Sequence, residues 1–65
     1  MSKKENYFIL ETFDDEINMR VQFHYWTSEK GYCYSSTEFE NGTTVRKQRI
    51  SEHEYISAYE TYRNV

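Results

Sequence analysis

The chain reads as an α+β domain: a four-stranded antiparallel meander followed by one C-terminal helix laid across one face of the sheet. Three features predict it. Ile17, Met19, Val21, Phe23 and Tyr25 alternate with Asn18, Arg20, Gln22, His24 and Trp26, which is period two with one apolar side. Glycine-bearing turn signals at Ser28–Gly31 and Glu40–Thr43 punctuate the segments that follow. Ser51-Glu52-His53-Glu54 is a capping box that opens a helical stripe.

Each element follows in order. Residues 7–13 (Tyr-Phe-Ile-Leu-Glu-Thr-Phe) are aromatic and branched and read as a first strand, closed by three consecutive carboxylates, Asp14, Asp15 and Glu16. The second strand spans 17–27. Ser28-Glu29-Lys30-Gly31 turns the chain, with Gly31 free to take positive φ, and a third strand runs from Tyr32 to Phe39. Asn41-Gly42 predicts a two-residue type I′ turn, in which both central residues need positive φ. That turn would pair Tyr34 with Arg49 and Ser36 with Lys47. The fourth strand, Thr44 to Ile50, is polar and suits an edge, where Arg46, Lys47 and Arg49 discourage a further strand. From Ser51 a helix is expected to about Arg63, with Tyr55, Tyr59 and Tyr62 on its core stripe and Arg63 at the end that favours a cation. Residues 1–65 form one domain, with 1–5 expected as a disordered tail.

Composition bounds the function classes. The chain has 65 residues, a net charge of -3 and 18% aromatics, seven of them Tyr and four Phe. Disordered segments are poor in aromatics, so a folded domain is expected. A domain this small normally needs a staple. The single Cys33 offers no disulfide, and no Cys/His spacing suggests zinc. Dense aromatic packing or association, with a second copy as a homo-oligomer or with another protein, is left to supply the missing burial. No segment has the length of a membrane span, and the apolar stretch Tyr7–Leu10 is too short for a signal peptide. The expectation is a cytoplasmic protein without membrane contact, cofactor or metal. Charge is mildly split: residues 1–42 hold 4 basic and 8 acidic groups, residues 43–65 hold 4 and 3.

The pleat assigns the faces. If Ile17, Met19, Val21, Phe23 and Tyr25 meet the helix, His24 and Trp26 point away from it. A three-residue turn at Gly31 keeps Cys33, Ser35, Thr37 and Phe39 on the helix side and sets Tyr32 and Tyr34 beside His24 and Trp26. The outcome is an aromatic patch, His24, Trp26, Tyr32 and Tyr34, with Lys47 and Arg49 at its rim. Trp and Tyr dominate binding hot spots, so this patch is the candidate partner site. Cys33 and His24, the one conceivable nucleophile and base, fall on opposite faces, and a sheet with one helix has little room for a catalytic pocket.

The expected function is therefore a non-enzymatic module that binds another protein through the aromatic sheet face. In bulk character the chain is similar to small inhibitors of host enzymes encoded by phages or mobile elements, a compositional likeness that no motif carries. Two other classes fit parts of the sequence. A single-stranded nucleic-acid binder would stack bases on the same rings and use Arg49 and Lys47 on phosphates, against an unfavourable net charge. An acidic mimic of DNA would instead present Asp14, Asp15 and Glu16 to a basic partner. Those three carboxylates lack the spacing and glycine of a calcium loop.

Overall fold

The computed structural model describes residues 6–64 and shows the expected order: β1 (Tyr7–Asp14), β2 (Met19–Thr27), β3 (Cys33–Phe39), β4 (Thr44–Ile50) and α1 (Glu52–Arg63). The strands form one antiparallel sheet in the order β1-β2-β3-β4. The tail expected at 1–5 lies outside the described residues.

Three connections set the register. Between β1 and β2, Asp14 faces Met19, so residues 15–18 make the turn. Asp14 Oδ1 accepts from the amides of Glu16 (2.9 Å) and Ile17 (3.4 Å), and Asn18 takes φ 56 to close it. Short polar side chains that bond their own backbone and tolerate the left-handed region explain both choices. Ile17 and Asn18 therefore belong to this turn and not to the second strand as expected, and Ile17 is 46% exposed.

The β2–β3 and β3–β4 hairpins use the same device. Ser28 N donates to Tyr32 O and Gly31 N to Ser28 O; Phe39 N donates to Thr43 O and Gly42 N to Phe39 O. Each is a three-residue loop ending in a glycine of positive φ, +90° at Gly31 and +94° at Gly42. The two-residue turn expected at Asn41-Gly42 is thus replaced. Asn41 stays out of the left-handed region and instead accepts from Thr43 N through Oδ1 at 2.9 Å. The longer loop moves β4 by one position, pairing Thr37 with Val45. A bulge between Ser35 and Thr37 moves it back, so Tyr34 faces Arg49 as expected, while the expected Ser36–Lys47 pair is lost within the bulge.

Ser51 caps α1: its Oγ accepts from Glu54 N at 3.0 Å, and the Glu54 carboxylate accepts from Ser51 N at 3.4 Å. A cap of this kind stabilises by about 1 kcal/mol. The helix lies over β1 and β3 at one end of the sheet. There Phe8, Cys33, Tyr55 and Ala58 are buried, with Leu10, Tyr25, Ile50 and Tyr59 packed against them. Phe8 is the hub. Its ring centroid lies 4.9 Å from Tyr62, 5.1 Å from Tyr25, 5.4 Å from Tyr55 and 5.5 Å from Tyr59.

The helix covers less than the sequence suggests. Twelve residues of α1 span about 18 Å, whereas nine residues of β2 span about 30 Å. Of the apolar β2 positions assigned to the helix side, only Tyr25 joins the helix cluster. Tyr62, expected in the core, lies against Phe8 yet remains 41% exposed.

Candidate functional site

On the face away from α1, pleat and register build cross-sheet rows. The first runs Tyr7, Trp26, Tyr34, Arg49, one residue from each strand in sequence order. The second starts Ile9, His24, Ser36, and the third runs Glu11, Gln22, Glu38, Thr44. The row of three rings and Arg49 thus lies at one end of the face, and at the other Glu11, Glu38 and Glu40 gather around Arg20, with Phe13 beside it.

The aromatic end is ordered by its own contacts. Trp26 and Tyr34 stack at 5.9 Å with 20° between planes. The Lys47 ammonium sits 5.2 Å from the Tyr34 ring centroid, and the Arg49 guanidinium carbon 3.9 Å from that of Tyr32. Contacts of this kind are worth about 0.5–1 kcal/mol each at exposed sites. They hold both cations over rings, which makes a preformed surface of π-faces edged with positive charge. All six residues predicted for the patch (His24, Trp26, Tyr32, Tyr34, Lys47 and Arg49) lie on this face or at its rim.

His24 links the two ends. Tyr7 Oη is hydrogen-bonded to its Nδ1, and the rings are 5.9 Å apart. The other ring nitrogen, Nε2, is directed toward the acidic end. That nitrogen lies 3.4 Å from Glu38 Oε1, is itself shielded from solvent, and makes no well-formed hydrogen bond. At the acidic end, Glu11, Arg20, Gln22, Glu38, Phe39 and Glu40 line a depression of about 210 Å³.

Sequence reasoning omitted Tyr7 from the patch. The signal was present: Tyr7, Ile9, Glu11 and Phe13 share one parity, and a meander brings β1 beside β2. It also omitted a concavity on the opposite face, where the short helix leaves a groove of about 510 Å³ between its Glu54 and Ser57 side and Phe23, Thr37 and Gln48 of the sheet. Tyr25 lines that groove. Burial, and then the nearby Glu54 carboxylate, raise its hydroxyl above the ordinary value of 10.0.

The remaining candidates fall elsewhere. Asp14, Asp15 and Glu16 lie in and beside the β1–β2 turn, where the Asp14 carboxylate is engaged by backbone amides. Cys33 is buried beneath α1, across the sheet from His24. Among the described residues no three His, Cys, Asp or Glu side chains converge as they would on a metal ion, and no helix is long and apolar enough to cross a membrane. In comparisons with known proteins, no family model, no curated relative and no solved structure matches the chain.

Proposed function

We propose that the chain is a non-enzymatic binding module that engages another protein through the open face of its sheet. The observation that carries this reading is the row Tyr7, Trp26, Tyr34, Arg49, which sets three rings and a guanidinium side by side with no described element packed over them. Lys47 and Arg49, held over Tyr34 and Tyr32, fit a partner whose apolar contact is ringed by carboxylates. A protein is favoured over nucleic acid because Glu11, Glu38 and Glu40 share the face with these cations and the chain carries a net charge of -3. A phosphate backbone laid along the rows would meet those carboxylates and release few counterions.

The placement of Cys33 and His24 on opposite faces supports binding over nucleophilic catalysis. One buried thiol without a disulfide partner suits a reducing compartment such as the cytoplasm. In this reading the chain acts by occupying a partner's surface, as a small phage or mobile-element inhibitor acts on a host enzyme. Asp14–Glu16 are supported less as a contact, since a turn already uses Asp14.

The test is affinity capture from the native host by the wild type, the Trp26→Ala/Tyr34→Ala double variant and an Ile17→Ser control, followed by titration of each captured protein. A partner retained by the control and weakened at least about tenfold by the double variant is the expected result, since hot-spot truncations exceed ~1.4 kcal/mol. A partner held equally by all three, or Trp26 fluorescence that responds to single-stranded oligonucleotide at low salt and not to the captured protein, would overturn the reading.

A further inference from the structure

We infer that the chain self-associates by antiparallel pairing of β1 with β1 of a second copy, in the register centred on Leu10. The inference concerns the sheet edge and stands whether or not the open face binds a protein.

The two edges of the sheet are unlike. β4 has a bulge and carries Lys47 and Arg49, devices that discourage strand addition. β1 pairs with β2 in unbroken register and has no Pro, Lys or Arg, and Glu11 is its one charge before Asp14. Its backbone is also set up for a partner. Thr27 N donates to Asn6 O, and Glu40 N donates to Arg20 O. Along the ladder these bonds place even-numbered β1 residues in hydrogen-bonded pairs with β2. The amides and carbonyls of Tyr7, Ile9, Glu11 and Phe13 therefore point outward from the edge.

Side chains select the register. Tyr7 and Phe13 lie on the open face at 53% and 50% exposure, and each is three residues from Leu10. Pairing centred on Leu10 sets Tyr7 against the second copy's Phe13 and Ile9 against its Glu11, with up to about eight new backbone hydrogen bonds. Centring on Glu11 would oppose two carboxylates. Centring on Ile9 would leave Phe13 beyond the partner's strand. The two-fold axis stands perpendicular to the sheet, so both helices share one face and both aromatic rows the other. The exposed rings gain cover that a domain with few buried side chains lacks. Because β4 is blocked, association stops at two.

Sedimentation from ~5 to ~100 µM tests this, a range that resolves micromolar dissociation constants. The wild type is expected to approach twice the 8.0 kDa chain mass. Tyr7→Lys/Phe13→Lys opposes two ammonium groups at each end and is expected to weaken the dimer at least tenfold. Tyr7→Lys/Phe13→Glu opposes opposite charges and is expected to restore it. Hydrogen exchange on the wild type provides a readout independent of variant folding: the amides of Ile9, Glu11 and Phe13 gain protection on concentration. A wild type monomeric throughout, protection that does not change with concentration, a double-lysine variant that dimerises normally, or a lysine/glutamate variant that fails to recover would each refute the inference. Trp26→Ala/Tyr34→Ala is expected to dimerise as the wild type does, which separates failure here from failure of the partner reading.

Discussion

Phe8 is the residue on which the two layers depend, and its truncation measures how much of the domain they hold together. It is 3% exposed and within 5.5 Å, centroid to centroid, of four tyrosine rings, one on β2 and three on α1. Phe→Ala in such a site costs about 3–5 kcal/mol, the lost transfer energy plus an unfilled cavity. A 65-residue domain has about 3–10 kcal/mol in total at ordinary stability per residue. Phe8→Ala should therefore remove most or all of the folded population, whereas Phe8→Leu keeps apolar volume, forfeits ring–ring contacts and should cost about 1–1.5 kcal/mol. Phe13 is the internal control, same residue type and same strand but half exposed, and at a concentration that keeps the chain monomeric Phe13→Ala should cost only about 1 kcal/mol. Urea unfolding followed by both Trp26 fluorescence and far-ultraviolet dichroism, at one fixed low protein concentration, reports these differences as shifts in midpoint at constant slope. Phe8→Ala unfolding within about 0.5 kcal/mol of the wild type would refute the reasoning, because α1 would then owe its position to something other than this cluster.

Two further outcomes follow from the backbone and from Tyr25. Gly42→Ala meets nothing within 4 Å of the added Cβ, so its cost is conformational alone; at φ +94 it should destabilise by about 1–2 kcal/mol, with Gly42→Asn costing less, both read from the same urea midpoints. The Tyr25 hydroxyl is held above its ordinary 10.0 by burial and then by Glu54. Both states keep the proton below that value. Above it the unfolded chain gives the proton up first, so stability declines as pH rises through 10 and beyond. Midpoints compared between pH 8 and pH 10.5 should fall less for Tyr25→Phe than for the wild type, and an identical fall would rule out this contribution.

What the sequence discloses here is set by how local each cause is. The helix start was legible because the capping box closes within residues 51–54, and the faces of β2 were legible because alternation needs no partner. The β3–β4 turn was not. Asn-Gly suits a two-residue turn, but Glu40-Asn41-Gly42 also suits a three-residue loop with glycine at its left-handed end, the same form as Glu29-Lys30-Gly31 one hairpin earlier. The choice rests on a bulge that depends on how β3 and β4 pack, which no local pattern records. Helix coverage was likewise invisible, because it depends on comparing 1.5 Å per residue in α1 with about 3.4 Å in the strands once both are placed.

The prediction of Tyr34 opposite Arg49 nonetheless held, and the reason is informative. The loop adds one residue and the bulge removes the offset, so β4 recovers its parity just before the aromatic row. Had either change stood alone, Arg49 would lie on the helix side among Ile50 and Cys33's neighbours, an unpaired cation in the apolar layer, and Ile50 would face solvent. Burial of Ile50 against the core and exposure of Arg49 on the open face are thus a single constraint, and the bulge is the irregularity that satisfies it. Lys47, within the bulged stretch, still reaches Tyr34, and the bulge breaks the regular register of β4. One local defect therefore completes the aromatic row and interrupts β4, whereas β1 keeps an unbroken register.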